Sequence, residues 1–400
     1  MPANASQPPR ICFVGLGTLP MLTREYGTRR AGGAELQQAL LAKALARRGW
    51  TVSMVVADYG QPEGAAWDGV RTLRAYRPDE GIPVLRFVHP RWTKLHAALR
   101  RADADIYYAS CAGGQLAQVA LFARSRGRKV VFRIASDTDC DPRALLVRYR
   151  RDRMLYRWGL AHADLVLAQT PSQRQALARN FGRDSRVVAS LLETSGRSPP
   201  LAERDIGALW VGNLRPLKRP HLFLDAAARL PGLAFHMIGW PMPGAEDLYE
   251  EVRQRAAALP NVTFHGFVPQ HEVGGYFERA LVFVSTSAIE GFPNTYLQAW
   301  SRGTPVVAFL DPERLLTEKR LGTLVGGAQE LEDAIARLTG EPREWEQASA
   351  RGRRYIDERG GESEMVSAYV EALSSLDLQR PIVRNAAADM TGNETCQRRT

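Results

Sequence analysis

Residues 11–60 contain two apolar runs, ICFVGLG at 11–17 and TVSMVVADYG at 51–60, with the segment AELQQALLAKALARRG at 34–49 between them. In the middle segment, leucines and alanines recur at helical spacing and form one apolar face. Gly49 follows at the position where a glycine commonly ends a helix in the left-handed conformation. The stretch therefore predicts a strand, a glycine-containing loop, a helix and a second, parallel strand.

The same alternation of short β-branched runs and longer amphipathic runs continues along the chain. Further candidate strands are ADIYYAS, KVVFRIAS and ADLVLAQT in the first half, and ALWVG, AFHMIG, VTFHGF, LVFVSTS and PVVAF in the second. Strands that alternate with helices build parallel sheets covered by helices on both faces. We therefore predict an α/β protein with two Rossmann-like, doubly wound domains in tandem.

Changes in composition mark the boundaries between these units. Apolar periodicity stops in ETSGRSPPLAERD at 193–205, a segment rich in Ser, Pro and charge. The predicted organisation is an N-terminal domain over 1–195, a linker over 196–206, a C-terminal domain over 207–375 and a polar, disordered tail over 376–400.

Composition excludes several classes of protein. The 400 residues are 45% hydrophobic, which is enough for packed cores and argues against general disorder. The cysteines, Cys12, Cys111, Cys140 and Cys396, form no C-x-x-C pair, so neither a zinc site nor a disulfide framework is indicated. No signal-peptide pattern and no apolar run of bilayer-spanning length occurs in the sequence. These features predict a cytoplasmic protein.

The net charge of +10 is distributed unevenly. The first 200 residues carry 31 Lys and Arg against 16 Asp and Glu, whereas the last 200 carry 22 against 27. A basic half of this kind indicates an anionic partner. Nucleic acid is disfavoured because no recognition motif accompanies the charge, which leaves phosphorylated or lipid partners.

The loop after the first strand suggests phosphate binding. Gly15 and Gly17 have the spacing of a dinucleotide-binding motif, but Pro20 stands where its third glycine belongs and no acid follows at the required distance. A nicotinamide oxidoreductase is therefore disfavoured. The pair Gly32–Gly33 directly precedes the first long helix, where free backbone amides bind phosphate. The alternative is that these glycines only permit a tight loop.

The second half contains a basic loop at a strand end. In VGNLRPLKRP at 211–220, a predicted strand ends at Gly212, and Arg215 and Lys218 follow before the next helix. Cations at the carboxyl end of a parallel strand are placed to bind a diphosphate. Alone, the segment would fit a solvated basic turn equally well.

A second motif in this half strengthens the phosphate interpretation. Glu290 follows the apolar run LVFVSTS, and EGFPNTYLQAW leads into a helix that Asn294 or Thr295 is expected to cap. The amides of that helix start can meet phosphate oxygens. Gln298 lies about one turn into the helix and is expected to face the same crevice.

Taken in order, GGAEL, GNLRPLKRP, FHGF, EGFPNTYLQAW and GTPVV resemble the retaining glycosyltransferases of the GT-B fold, family 4, also called group 1. The resemblance covers roughly residues 10–375. Within that family, the chain is most similar to bacterial enzymes of exopolysaccharide or capsule biosynthesis. The resemblance implies two Rossmann-like domains facing each other across a cleft, without a metal or other cofactor. The N-terminal domain would bind a glycan or lipid-linked acceptor, and the C-terminal domain would bind a nucleoside-diphosphate sugar.

The resemblance also implies a role for individual residues. Lys218 would be the phosphate cation and Glu290 would hydrogen-bond the sugar hydroxyls and steady a positively charged transition state. The implied donor-binding set is Gly32, Gly33, Asn213, Arg215, Lys218, Gly266, Phe267, Glu290, Phe292, Asn294, Thr295 and Gln298. Gly266 and Phe267 would lie near the base, and Gln298 near the ribose.

The chain departs from the family pattern at three positions. Asn213 stands where the family often has Arg, Gln298 replaces the second Glu of the E-x7-E pair, and Ser110 stands where many relatives have His. Asp137, at the end of the next strand, is a further candidate polar group on the acceptor side and a candidate catalytic residue. These departures keep open a degenerate sugar-nucleotide-binding subunit without turnover.

Arginine-rich segments in the first half allow two interpretations. RALLVRYRRDRMLYRWGLAH, which begins at Arg143, carries six arginines among Leu, Tyr and Trp. The segment can be a basic amphipathic helix on an anionic membrane or an ordinary crossover helix. Together with HPRWTKLHAALRR, at 89–101, it raises the hypothesis of a peripheral protein on the inner face of the membrane.

Overall fold

The computed structural model describes residues 8–26, 32–82, 85–192 and 196–378, and these residues form two sheets wrapped by helices. Both sheets are parallel except for one antiparallel pair at the edge of the first. The first sheet has eight strands in the order β3-β4-β2-β1-β5-β6-β7-β8. Its strands are β1 Arg10–Val14, β2 Thr51–Val56, β3 Ala66–Trp67, β4 Val70–Arg74, β5 Ile106–Ser110, β6 Lys129–Arg133, β7 Leu165–Ala168 and β8 Arg186–Val187.

The second sheet has six parallel strands in the order β11-β10-β9-β12-β13-β14. Its strands are β9 Ile206–Val211, β10 Phe235–Ile238, β11 Val262–Gly266, β12 Ala280–Ser285, β13 Val306–Ala308 and β14 Gly322–Leu324. The first sheet ends before the predicted linker, with β8, and the second sheet begins at the last residue of the linker, with β9. The predicted fold, two Rossmann-like α/β domains, is therefore confirmed.

Helices cover both faces of the sheets and follow the strands in the order that parallel pairing requires. They are α1 Leu19–Leu22, α2 Gly33–Arg47, α3 Thr93–Ala102, α4 Gln115–Arg124, α5 Arg150–Ala161, α6 Pro171–Phe181, α7 Pro220–Arg229, α8 Glu246–Ala257, α9 Gln270–Arg279, α10 Asn294–Ser301, α11 Ala328–Gly340, α12 Pro342–Glu358 and α13 Glu362–Ser374. No helix in the described residues is both long and apolar enough to cross a bilayer.

The first βαβ unit forms as its sequence predicts. The helix α2 buries Leu41, Ala42 and Leu45 against β1 and β2, and its last turn is followed by Gly49 at φ +82°. That backbone conformation is strained for a residue with a Cβ, so glycine is the suitable residue at this point. The register pairs Ile11 with Val52 across the sheet.

One strand pair at the edge of the first sheet is absent from the prediction. The strands β3 and β4 are joined by Asp68 and Gly69, which have φ values of +50° and +78°. Asp-Gly is a strong signal for a two-residue hairpin turn, and it is present in the sequence WDGV. The signal is missed because β3 spans two residues, too few to show an alternating apolar pattern.

The linker is pinned to the second domain by a buried arginine. The Arg204 guanidinium donates to the carbonyl oxygens of Phe277 at 3.1 Å, Ala280 at 2.6 Å and Arg302 at 2.6 Å. Its burial lowers the pKa of Arg204 to about 10. Three carbonyl groups at the ends of α9, β12 and α10 therefore depend on one side chain.

We expect Arg204→Met to lower the free energy of unfolding by about 2 kcal/mol, because buried carbonyl groups lose charge-assisted donors. Denaturant unfolding followed by circular dichroism measures this change. The matched control is Arg197→Met, since Arg197 is exposed and its ion pair with Glu203 lies in solvent; it should change stability by less than about 0.5 kcal/mol. Equal effects of the two substitutions would contradict the assignment.

The last helix returns to the first domain. In α13, the Tyr369 hydroxyl donates to the Ala189 carbonyl at 3.2 Å, and Glu362 pairs with Arg47 at the end of α2. Met365, Val366 and Leu373 are buried in the same core as β1 and α2. The sequence prediction places this helix with the second domain, whereas the structure packs it on the first. Residues 379–400 of the predicted tail lie outside the described residues.

Candidate functional site

The two predicted phosphate loops lie against each other where the carboxyl ends of the two sheets meet. Gly32 and Gly33 open α2, and Asn294 opens α10 in the second domain. The Asn294 side-chain amide donates to the Gly33 carbonyl at 3.0 Å and accepts from the Gln37 side chain at 3.2 Å. Two helix N-termini from different domains therefore face one cleft.

The expected capping of α10 is wrong. The helix begins at Asn294, with Pro293 as its cap residue, and among the described side chains none caps it. The Asn294 side chain is used instead for the bonds to Gly33 and Gln37, and Thr295 lies within the first turn. The Tyr296 amide donates to the Pro293 carbonyl at 3.1 Å, and the Asn294 and Thr295 amides of this first turn stay available for a ligand.

Lys218 and Glu290 form an ion pair at this cleft. Lys218 ends a short 3₁₀ helix, Pro216–Lys218, and its ammonium group contacts the Glu290 carboxylate. Both side chains are more than four-fifths buried. The Thr286 hydroxyl donates to the Lys218 carbonyl at 2.5 Å and accepts from the Trp210 indole at 2.9 Å. The strand ends of β9 and β12 thereby fix the pair in place.

Arg215 and Glu35 face each other across the cleft. The Arg215 Nε is buried without a hydrogen-bond partner among the described residues, and the charge of Arg215 acts on the Glu35 carboxylate. Burial nevertheless raises the pKa of Glu35. A Cβ on Gly32 would lie 2.1 Å from Glu35 Oε2, so this carboxylate lies against Gly32, whereas the Asn294 side chain lies against Gly33. Glu35 is missing from the predicted site, although it stands in the motif GGAEL. Asn213 lies next to Arg215 on the same loop after β9.

Asp137 lies beside Glu290. Its backbone amide donates to the Glu290 carbonyl at 3.2 Å, and its carboxylate accepts from the Gln173 side chain at 2.8 Å. Burial raises the pKa of Asp137, and the charges of Glu313 and Glu290 raise it further. Ser110, by contrast, donates its hydroxyl to the Arg133 carbonyl at 2.9 Å. Of these two residues, Asp137 therefore supplies the acidic group on this side of the cleft, whereas the Ser110 hydroxyl is bonded to backbone.

Two buried glutamines, which the sequence prediction omits, join the loop around Glu290 to the first domain. Gln169 accepts from the Phe292 amide at 3.0 Å and donates to the Ile134 carbonyl at 2.7 Å. The backbone amide of Gln169 in turn donates to the Gln173 side-chain oxygen at 2.9 Å. No motif in the sequence marks them, because Gln169 bonds to backbone groups 35 and 123 positions away and Gln173 bonds to the Asp137 carboxylate 36 positions away.

Gly291 allows this junction to close. A Cβ at Gly291 would lie 2.6 Å from the Ala135 carbonyl oxygen in the opposing domain. That separation is well inside van der Waals contact, so only glycine fits without a shift of backbone. The loop 290–294 therefore touches the first domain through Glu290, Gly291, Phe292 and Asn294.

The remaining predicted residues lie on the second sheet. Gly266 ends β11 at φ +65°, and the Phe267 ring lies 6.3 Å from the Trp240 ring, centroid to centroid. These residues form an aromatic rim at the end of β10 and β11. Gln298 is buried within α10. The structure brings the glycine pair, Lys218, Glu290, Asn294 and Asp137 together, whereas Ser110 is bonded to backbone.

A histidine pair in the second sheet gives the protein a pH-dependent stability. His265 and His236 lie 3.0 Å apart through their ring nitrogens. Burial, the neighbouring His236 and Arg279 lower the pKa of His265 to about 4 from the ordinary 6.5. The unfolded chain therefore binds a proton as the pH falls from 6.5 to about 4, while the folded chain does not, so stability decreases on acidification.

We expect this histidine to remove about 1 kcal/mol of unfolding free energy between pH 6.5 and pH 4. His265→Asn should flatten the fall in denaturant midpoints over that interval. The control, His271→Asn, changes an exposed histidine and should leave the fall unchanged. An unaltered pH profile in His265→Asn would contradict the assignment.

One cavity of the described residues lies away from this cleft. It has a volume of about 460 Å³ and is lined by Arg100, Arg126 and Arg128 at the amino-terminal edge of β5 and β6. This edge is opposite to the cleft. A second cavity of about 140 Å³ lies beside Gln169 and Phe292. The cavity of about 460 Å³ contains none of the predicted site residues, so the side chains at the cleft define the candidate site. No cluster of three potential metal ligands occurs in the described ranges.

Both halves of the chain match known domain families. A family model described as "Glycosyl transferase 4-like domain" matches residues 32–190, and one described as "Glycosyl transferases group 1" matches residues 206–341. The matched regions contain the glycine pair and the Lys218–Glu290 pair, respectively. The predicted family resemblance is confirmed.

Curated relatives agree with these families. A D-inositol 3-phosphate glycosyltransferase of Geodermatophilus obscurus is 30% identical over 37% of this chain and 38% of its own. The lipopolysaccharide core biosynthesis glycosyltransferase LpsE of Rhizobium meliloti is 26% identical over 49% and 56%. These matches span less than two thirds of either relative. A D-inositol 3-phosphate glycosyltransferase of an Arthrobacter species is 26% identical over 83% and 87%.

Solved structures share the fold. The sucrose-phosphate synthase of Thermosynechococcus elongatus superposes with a TM-score of 0.73 at 20% identity, over 92% of this chain and all of the other. HepE of Anabaena, in complex with UDP-glucose, superposes with a TM-score of 0.69 at 19% identity, with the same coverage. The likeness concerns the arrangement of the two domains.

Proposed function

Because the chain belongs to the group 1 glycosyltransferases with a GT-B fold, we propose that it moves a sugar from a nucleoside-diphosphate sugar to a glycan or lipid-linked acceptor. The observation that carries the proposal is the Lys218–Glu290 pair at a cleft where the starts of α2 and α10 meet. A cation, free amides and a carboxylate are thereby collected around one small volume.

The diphosphate of the donor is assigned to the cation and the amides. When the bond to the sugar breaks, negative charge builds on the leaving diphosphate. Lys218 and the amides of Gly32, Gly33 and the first turn of α10 are already in position to stabilise that charge. No metal is required in this scheme, because the fixed cation and helix termini supply the positive potential.

The sugar is assigned to Glu290. As the leaving group departs, the anomeric carbon becomes positively charged, and a carboxylate beside it stabilises that charge. We propose retention at this carbon, with donor and acceptor on the same face of the sugar and the donor phosphate taking the acceptor proton. Asp137, whose pKa is raised by burial, is the neighbouring group that orients the acceptor hydroxyl.

A role in cell-surface polysaccharide assembly fits the names of two relatives. One is LpsE, which is described as a lipopolysaccharide core enzyme, and another is an alpha-monoglucosyldiacylglycerol synthase of Streptococcus pneumoniae, 34% identical over 23% of this chain. Both names refer to a glycoconjugate that contains lipid. We therefore place the acceptor among glycans and lipid-linked sugars.

The test of donor binding is thermal unfolding with UDP, GDP, ADP and NADH in turn. Ligand at 100 times its dissociation constant adds about 2.7 kcal/mol of stability, so one nucleoside diphosphate should raise the melting temperature. The same nucleotide should shift Lys218→Ala much less. A shift with NADH alone would contradict the proposal. A nucleotide shift without any sugar transfer would favour the non-catalytic subunit that Ser110, Asn213 and Gln298 suggest.

A further inference from the structure

Two arginine-rich segments that are distant in sequence lie side by side on the first domain. The guanidinium of Arg151, in α5, lies 3.5 Å from the centre of the Phe87 ring, in the turn before α3. This contact joins residues 85–92 to residues 143–157. We call these two segments together the docking surface.

The docking surface contains most of the exposed large apolar side chains of the protein. Nine such residues occur among the described residues, and five of them lie in its two segments, with Ile82 three residues before it as a sixth. Those in the segments are Leu85, Val88, Leu146, Tyr149 and Met154. Met154 is 71% exposed and Leu85 is 63% exposed. Such a concentration marks an interaction site, because scattered single residues are the ordinary case.

The same surface is strongly basic. Its two segments contain eight arginines and one carboxylate, Asp152, which pairs with Arg151 at 2.9 Å. Glu80, on the rim, pairs with Lys94. Arg86, Arg143, Arg148, Arg150 and Arg157 are exposed and have no carboxylate partner among the described residues. Exposed apolar side chains within a field of arginines are complementary to an anionic bilayer, whose headgroups are negative and whose interior is apolar.

The docking surface adjoins the acceptor side of the cleft. Asp152 and Leu155 pack on Gly114, whose added Cβ would lie 3.1 Å and 3.3 Å from them. Gly114 follows the carboxyl end of β5, next to Ser110. The chain also runs from Asp137 directly into the second segment. A bilayer on this surface would therefore lie beside the opening into which an acceptor enters.

We propose that the docking surface binds the anionic lipid bilayer, with Leu146, Tyr149 and Met154 inserted among the headgroups and the arginines on lipid phosphates. The bilayer partner is argued from charge and exposure alone. Its consequence, delivery of a lipid-linked acceptor to the cleft, rests on the proposed function. Adsorption is reversible and depends on ionic strength, since the arginines supply part of the attraction.

Co-sedimentation of the full chain with vesicles tests the proposal. Vesicles of phosphatidylcholine with phosphatidylglycerol should bind the protein, and vesicles of phosphatidylcholine alone should bind it far less. Reversing two charges with Arg148→Glu and Arg150→Glu should lower the partition coefficient by roughly 30-fold or more. Leu146→Ser with Met154→Ser should lower it by roughly tenfold. The control, Arg229→Glu with Leu324→Ser, makes matched changes on exposed residues of the second domain and should bind normally.

Three outcomes overturn the proposal. They are equal binding to both kinds of vesicle, normal binding by the doubly reversed variant, and sensitivity to the arginines without any sensitivity to Leu146 and Met154. Sedimentation equilibrium without lipid tests whether a second copy of the chain binds the docking surface instead. Self-association that the same variants abolish would identify this second copy as the occupant. The nucleotide-induced thermal shift serves as a separate readout: a variant that loses vesicle binding should keep it, so failure of one proposal is distinguishable from failure of the other.

Discussion

Lys218→Ala is expected to reduce sugar transfer by roughly a thousandfold or more. Among the described residues, Lys218 is the cation paired with Glu290, so the substitution leaves a mostly buried carboxylate without that partner. Both consequences oppose a diphosphate: the leaving group loses its stabilising charge, and an uncompensated anion stands beside it. The measurement is the initial rate of nucleoside diphosphate release, with kcat and KM determined separately. The loss should lie mainly in kcat, because the charge it stabilises develops in the transition state.

The control for this prediction is Lys129→Ala. Lys129 starts β6 at the edge opposite to the cleft and pairs with Asp164 at 3.4 Å. Lys129→Ala removes a positive charge without changing the cleft, so the rate of this variant should match that of the wild-type protein. A Lys218→Ala rate within tenfold of wild type would exclude Lys218 from the chemistry.

Gly291→Ala is expected to lower kcat by roughly 100-fold while leaving nucleotide affinity nearly unchanged. The added methyl group would stand 2.6 Å from the Ala135 carbonyl, and the backbone on both sides must move apart to accept it. Lys218 and the amides of α10 stay in the second domain, so donor binding survives. The placement of Glu290 against Asp137 is lost, because the backbone hydrogen bond between these two residues spans the same junction.

Gly275→Ala is the matched control. Gly275 lies inside α9, and a Cβ there meets no atom within 4 Å. Its replacement should leave kcat at the wild-type value and can raise stability, since alanine favours helix more than glycine does. If Gly291→Ala keeps its full kcat, or weakens nucleotide binding as strongly as turnover, the junction does not position the reacting groups.

The fold was accessible from sequence because its signals are local. The run 11–17, the helix at 34–49 and the strand at 51–60 each carry their own periodicity, and parallel pairing follows from their alternation. The hairpin β3–β4 was missed for the opposite reason, since two residues carry no period. The return of α13 to the first domain has no local signal either, because an apolar helix face does not specify its partner.

The site was accessible where one residue type performs one task at a strand end. Lys218, Glu290 and Asp137 follow β9, β12 and β6, and the carboxyl ends of parallel strands share one edge. Gln169 and Gln173 could not be predicted in the same way, because the fold alone brings Gln169 to the Phe292 amide and Gln173 to the Asp137 carboxylate. Asn294 was misassigned as a cap since the bond it makes with Gly33 spans 261 positions.

The position of α13 has a consequence for how the protein is made. The apolar surface of α2 and the end of β8 is covered by residues 362–374, which leave the ribosome after both sheets have been synthesised. The first domain can form its sheet early, but this apolar surface stays uncovered until the second domain and α13 have been synthesised. During this interval the nascent chain exposes apolar surface, and we expect a truncation before residue 362 to leave that surface uncovered and to favour aggregation.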